Sequence, residues 1–235
     1  MDNLIEVKNL CKDFGANPVL NRVSFEVSEG EIIGLLGVNG AGKTTLLKLL
    51  SGLLEPSEGQ IEVLSHNPWN ERVKVLKHLG ILIETPVFYE HLSAYDNLSI
   101  HLQYMDVEND IENILSLVGL DDVKSKPVSK FSLGMKQRLA IARCISHNPK
   151  ILLLDEPING LDPVAVKDIR ELFINLKNNG ATIILSSHIL GEILQTAESI
   201  AILANGNLEQ LGSIDTLKTQ HKEETENYLI ERMRG

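Results

Sequence analysis

Apolar and polar residues alternate at the start of the chain, and the alternation predicts strands before any motif is considered. Leu4 to Leu10 alternates, as do Val23, Phe25 and Val27, the period-two pattern of half-buried strands. Ser28-Glu29-Gly30 predicts a turn. Ile32 to Leu36 is apolar at consecutive positions, as in a strand covered on both faces. A glycine-rich loop, Gly37 to Gly42, follows it. Leu46, Leu47, Leu49 and Leu50 then recur with helical spacing until Pro56 and Gly59 break the pattern, and Ile61 to Leu64 predicts another short strand.

The middle of the chain reads as helical. Ser93-Ala94-Tyr95-Asp96 has the form of a capping box and predicts a helix through about Met105. Ile111, Ile114, Leu115 and Val118 share one face of a second helix, which Gly119 ends. Ser132 caps a third, expected to run to about His147, before Asn148-Pro149 stops it. Strand and helix then alternate again. Ile151 to Leu154 is a buried strand, Val164 to Lys177 an amphipathic helix, Ala181 to Leu185 a strand and Ile189 to Ala197 a helix. Ile200 to Leu203 and Asn207 to Gln210 form a hairpin around Asn205-Gly206. Lys222 to Arg234 is expected as a charged surface helix or frayed end.

Composition narrows the classes. The 235 residues are 43% hydrophobic and 23% charged, which suits a folded globular chain. The net charge is −10 and no basic patch stands out, so nucleic acid is not an expected partner. No apolar run approaches the roughly 20 residues of a membrane span. The start, Met1-Asp2-Asn3, lacks an apolar signal core, and a cytoplasmic location is expected. Cys11 and Cys144 are too few for a disulfide framework and are expected as small buried hydrophobes.

Two segments carry chemistry on their own residues. Gly37-Val38-Asn39-Gly40-Ala41-Gly42-Lys43-Thr44 lies between a buried strand and a helix and matches the phosphate-binding loop pattern. Its glycines let backbone N–H groups wrap a phosphate chain, and the helix N-terminus adds partial positive charge. Lys43 brings a point charge to the β- and γ-phosphates, and Thr44 a hydroxyl for Mg²⁺. Ile151-Leu152-Leu153-Leu154-Asp155-Glu156 is a buried strand ending in two carboxylates. Asp155 suits Mg²⁺, usually through water, and Glu156 suits a general base for the attacking water. Two weaker signals are Ser132-Leu133-Gly134-Met135-Lys136-Gln137-Arg138, a capped helix start, and Ser186-Ser187-His188 after a strand.

Taken in order, the four segments resemble the ATP-binding cassette family over about residues 4 to 215. The resemblance implies ATP and Mg²⁺ as cofactors, with Gly37 to Thr45 as the phosphate loop. It implies Phe14 as an adenine-stacking aromatic, Ser132 and Gly134 as the signature contact to phosphate, and Asp162 as a contact across a dimer interface. It makes Glu156 and His188 catalytic beside Lys43. Two departures stand out: Leu133 and Met135 replace the usual Gly and Gln of the signature, and Glu84 stands where the family has Gln, toward Mg²⁺. These features, with the stretch Pro86 to Leu98, look like the branch of ATPase subunits that export bacitracin and lantibiotics.

The fold implied is α/β, a P-loop NTPase with a mainly parallel core sheet, an antiparallel β flank and an inserted helical subdomain. Residues 1–85 and 149–215 form the core, 86–148 the helical subdomain and 216–235 a C-terminal tail. The resemblance implies a head-to-tail homodimer with ATP at its interface, peripheral on the inner face of the membrane. A membrane-spanning permease subunit would dock on Glu84 through Asn97, with Phe88, Tyr89 and Tyr95 as anchors. The alternative is a non-transport or regulatory cassette that clamps nucleotide.

Overall fold

The computed structural model describes residues 3–234, so Met1, Asp2 and Gly235 lie outside the described residues. In chain order the elements are β1 (Asn3–Phe14), β2 (Asn17–Ser28), β3 (Ile32–Leu36), α1 (Lys43–Leu50), β4 (Glu58–Val63), α2 (Arg72–Leu76) and β5 (Leu79–Leu82). Three helices follow, α3 (Ala94–Met105), α4 (Ile111–Leu117) and α5 (Leu133–Ile145). The chain continues through β6 (Ile151–Asp155), α6 (Pro163–Asn178), β7 (Thr182–Ser187), α7 (Leu190–Thr196), β8 (Ser199–Ala204) and β9 (Asn207–Ser213). It closes with α8 (Ile214–His221) and α9 (Thr225–Arg234).

Two sheets result. One has three strands in the order β2-β1-β4, antiparallel throughout. The other has six, in the order β5-β6-β7-β3-β8-β9. Its first five run parallel and β9 returns antiparallel on the edge. The core sheet is therefore mainly parallel, with an antiparallel flank, as the apolar runs predicted.

Strand periodicity divides the core between the two faces of the large sheet. Ile32 and Leu36 of β3 pack with Leu152 and Leu154 of β6 and with the helices from α3 to α7. Ile33 and Leu35 face the other way, with Ile151 and Leu153 of β6, onto α1 and the three-stranded sheet. Gly34 sits where α7 comes closest: a β-carbon there would lie 2.3 Å from Ile193. Of the helices in residues 94–145, α5 packs on β5 of the sheet, and α3 and α4 pack on α5 and on each other.

Local signals explain four of the helix starts. The Ser93 hydroxyl accepts from the Asp96 N–H while the Asp96 carboxylate accepts from the Ser93 N–H, a reciprocal capping box. Asp110, Ser132 and Asp162 cap α4, α5 and α6 through side-chain oxygens.

Four expectations change. The short α2 was not foreseen; it buries only Val75, too little for a periodic pattern. Strand β7 extends past Leu185 to Ser187, because β6 and β3 pair with it on both sides and bury both serines. Cys144 is buried as expected, but Cys11 is only half-buried. The tail is a docked helix rather than a frayed end. Leu229 is fully buried, the His221 ring stacks on Tyr228 at 3.9 Å, and Arg232 grips both carboxylate oxygens of Glu209 at 2.7 Å. No helix of the described residues is long and apolar enough to cross a membrane.

Candidate functional site

The carboxyl ends of β3, β5, β6 and β7 meet along one edge of the large sheet, where parallel sheets place their ligands. Register brings the side chains into line. Asp155 lies opposite Ser186, Leu36 opposite Ser187, and Leu82 opposite Leu154.

The phosphate loop leaves β3 at Leu36. Gly37 has no room for a side chain, since a β-carbon would lie 2.5 Å from the Leu203 carbonyl oxygen. Gly42 caps α1 with φ of 106°, a conformation that only glycine adopts without strain. Val38, Asn39 and Gly40 are exposed at the tip, while Ala41 and Thr45 are half-buried or better covered. The Lys43 ammonium is buried and folds back on the loop, donating to the carbonyl oxygens of Gly37 at 2.6 Å and Val38 at 3.3 Å. Burial lowers its pKa, and the charges of Glu156 and Asp155 partly oppose that shift.

Asp155 ends β6 and is held on both oxygens. Thr44 Oγ1 donates to Oδ2 at 2.6 Å and Ser186 Oγ donates to Oδ1 at 2.5 Å. Two segments far from it in sequence thus fix one carboxylate. Glu156 follows with φ of 48°, an uncommon left-handed conformation for a side chain of this size. Its N–H donates to both the carbonyl and the hydroxyl oxygen of Ser186, each at 3.2 Å. His188 Nδ1 donates to Glu156 Oε1 at 2.9 Å. The two acidic residues therefore face different partners: Asp155 is bound to the loop helix, and Glu156 to the histidine beyond β7.

Glu84 lies two residues beyond β5, and its carboxylate is bound by the Lys48 ammonium. Glu84, Asp155 and Glu156 line one cavity of about 320 Å³, together with Leu133, Gln137 and Gly160. Gln137 Nε2 donates to the Pro157 carbonyl oxygen at 2.8 Å, which ties α5 to the loop after β6.

The remaining candidates stand apart. Phe14 is 49% exposed at the end of the β1–β2 hairpin, with the Lys12 ammonium 5.1 Å from its ring centre. That hairpin flanks the phosphate loop: a side chain at Gly42 would meet Val19 at 3.1 Å. Ser132 accepts from the Met135 N–H at 3.2 Å, and Gly134 follows in the first turn of α5. Leu133 is 66% exposed and lies over Gly160, where a β-carbon would sit 3.3 Å from it. Asp162 accepts from the N–H groups of Val164 and Ala165, each at 3.0 Å, and the Ala165 bond leads in holding its carboxyl below the usual range. Among the described residues, no hydrogen bond joins Ser132 or Asp162 to the phosphate loop.

Thr44 and Asp155 offer hard oxygen donors of the kind Mg²⁺ takes, and that ion commonly binds through one or two protein oxygens together with phosphates. No group of three or more His, Cys, Asp or Glu residues is poised to hold a metal among the described residues. Sequence reasoning assigned Ser186 no role beyond its place in the run before His188, and Lys48 was not singled out at all. The first signal was a hydroxyl at the end of an apolar strand. The second was a lysine four residues after Thr44, on the same helix face.

Residues 20–159 match the family described as ABC transporter. The bacitracin transport ATP-binding protein BcrA of Bacillus licheniformis is 41% identical over 225 residues, covering 94% of this chain and 74% of its own length. The lantibiotic transport ATP-binding protein SrtF of Streptococcus pyogenes is 40% identical over 206 residues, covering 87% of this chain and 89% of its own. A solved ATP-binding subunit of an ABC transporter superposes with a TM-score of 0.89 at 31% identity, covering 98% of this chain and all of the other. Likeness in sequence and in fold, on a chain whose phosphate loop and paired carboxylates meet at one sheet edge, makes it a member of the ABC transporter family: the ATP-binding subunit, an ATPase.

Proposed function

We propose that this chain hydrolyses Mg·ATP to power export of a peptide antibiotic, of the bacitracin or lantibiotic kind, through a separate membrane-spanning permease. The substrate class follows the relatives named for bacitracin and lantibiotic transport. In this reading the chain sits on the cytoplasmic face of the membrane. Residues 86–148 act as a helical subdomain against a core of residues 1–85 and 149–215, and residues 216–235 form the tail.

One observation carries the hydrolytic reading: the Glu156–His188 pair at 2.9 Å stands beside the Thr44–Asp155 pair at 2.6 Å. Lys43 and the backbone N–H groups of residues 37–45 would hold the phosphates, and Phe14 would stack on adenine. Thr44 and Asp155 would hold Mg²⁺, which supplies charge neutralisation on the phosphates. Glu156 takes a proton from water as its oxygen attacks the γ-phosphorus and the bond to the bridging oxygen of ADP breaks. His188 orients the Glu156 carboxylate for that proton transfer.

The signature residues support a head-to-tail homodimer. Ser132 is exposed and its hydroxyl oxygen accepts from the Met135 N–H, which leaves the O–H to donate, beside Gly134, to nucleotide held by a second copy. A docking place for the permease is a groove of about 400 Å³ lined by Val87, Phe88, Tyr89, His101, Tyr104 and Arg143. Val87, Tyr89 and Tyr104 are exposed there, as is Tyr95 nearby in sequence, whereas Phe88 packs on the core beneath the Arg143 guanidinium.

The test is Mg·ATP hydrolysis by wild type and Glu156→Gln over a range of protein concentration. Wild type is expected to gain specific activity with concentration, and the variant to lose at least about a hundred-fold. Undiminished turnover by the variant would overturn the assignment of Glu156.

A further inference from the structure

We propose that Lys48 is a positioning residue for Glu84, holding that carboxylate off the metal site until Mg²⁺ arrives with nucleotide. The inference rests on the Mg·ATP reading above and concerns a residue outside the phosphate loop. Thr44 and Lys48 are four residues apart on α1 and share a face. Along that face the Thr44 hydroxyl reaches Asp155 at the end of β6, and the Lys48 ammonium reaches Glu84 beyond the adjacent β5.

The charge balance explains the need for a cation. Glu84, Asp155 and Glu156 line one cavity, which a triphosphate would approach carrying negative charge of its own. An amide at position 84 would add none; the carboxylate adds a full charge. Lys48 offsets it from outside the loop, leaving Lys43, which rests on the Gly37 and Val38 carbonyls, for the phosphates. The pair is also exchangeable. Its side chains are 32% and 65% exposed, so solvent screening leaves the bond worth only a few-fold in equilibrium. A divalent ion beside the carboxylate outcompetes such a partner. Glu84 also has φ of 67°, an uncommon backbone conformation for a residue with a side chain, at the point where it meets Lys48 of α1.

The test measures ATP binding to the full chain in Mg²⁺ and in EDTA, by displacement of a fluorescent ATP analogue. The readout is the ratio of the two affinities. The variants are Lys48→Met, which keeps the alkyl stem, and Lys48→Arg, which keeps the charge, each with Glu84 intact and with Glu84→Gln. Lys48→Met is expected to raise the ratio about five-fold, by releasing Glu84 to the ion and by exposing metal-free ATP to its charge. Lys48→Arg should stay near wild type. With Glu84→Gln, Lys48→Met should leave the ratio unchanged. An unchanged ratio in Lys48→Met, or the same rise with glutamine at 84, would overturn the inference while leaving the nucleotide site intact. A wild-type chain that binds ATP in neither condition would overturn the site reading itself.

Discussion

Ser186→Ala separates the roles of neighbouring residues in a way the fold makes quantitative. Ser186 is fully buried, and its hydroxyl donates to Asp155 at 2.5 Å while accepting from the Glu156 N–H at 3.2 Å. Alanine removes the hydroxyl-to-carboxylate bond, worth about 1.5–3 kcal/mol. The Glu156 N–H keeps the Ser186 carbonyl oxygen, so little is lost on that side. The void is one hydroxyl, so a net loss of ~2 kcal/mol is expected, or a fall in Tm of roughly 4–8 °C for a chain of this size. Asp155 then keeps only its bond to Thr44 and can turn about it. Loss of a partner that orients a metal ligand costs about 10–100-fold in metal affinity. The lower figure, about ten-fold, applies here because Thr44 still fixes one oxygen. The assay is thermal unfolding together with Mg²⁺ titration of ATP binding. Ser187→Ala is the control: that hydroxyl is also buried, but it donates to Glu192 at 2.8 Å and accepts from the Ile189 N–H at 2.9 Å. Both variants should lose stability, and only Ser186→Ala should shift the Mg²⁺ half-point. Equal Mg²⁺ half-points in the two variants would refute the claim that Ser186 orients Asp155.

Two further outcomes test the fold around the site. Burial, more than the charges of His147 and Arg143, lowers the pKa of His101 to about 4, below its ordinary value of 6.5. The neutral ring is the folded form, so its contribution is complete above pH 6.5 and is lost as pH falls toward 4. The unfolding free energy from urea titration should fall across that window, with a slope limited to about 1.4 kcal/mol per pH unit for one group, and fall less steeply in His101→Gln. Leu229→Ala should cost about 2–4 kcal/mol in urea unfolding, because the side chain is fully buried on the inner face of α9; a loss under about 1 kcal/mol would mean that the tail is not part of the core.

What was legible in the sequence was what the chain encodes over short spans. The phosphate loop is one contiguous run in which glycine spacing, Lys43 and Thr44 are all set by backbone conformation and helix polarity. The capping box at Ser93 and Asp96 is equally local, and the structure forms it as read. Consecutive apolar residues marked β3 and β6 as strands covered on both faces, and both are. The two carboxylates at the end of β6 stood out because the same chain carries a phosphate loop, and parallel sheets place their ligands at the strand ends beside it.

Tertiary structure decided the partners. The sheet order β5-β6-β7-β3-β8-β9 sets β7 between β6 and β3, and only that order brings Ser186 to Asp155 across 31 positions of sequence. It also lays β5 beside β6, so that Lys48 on α1 can hold Glu84, 36 positions away. The tail shows the same limit. Its charged residues predicted a surface helix or a frayed end, yet Leu229 and Met233 turn one face into core because β8 offers a surface to cover. Residue type and spacing determine which groups can bind phosphate, cap a helix or fill a strand. Which of them meet is settled by strand order and packing, because hydrogen bonds and apolar contacts depend on distance in space rather than along the chain.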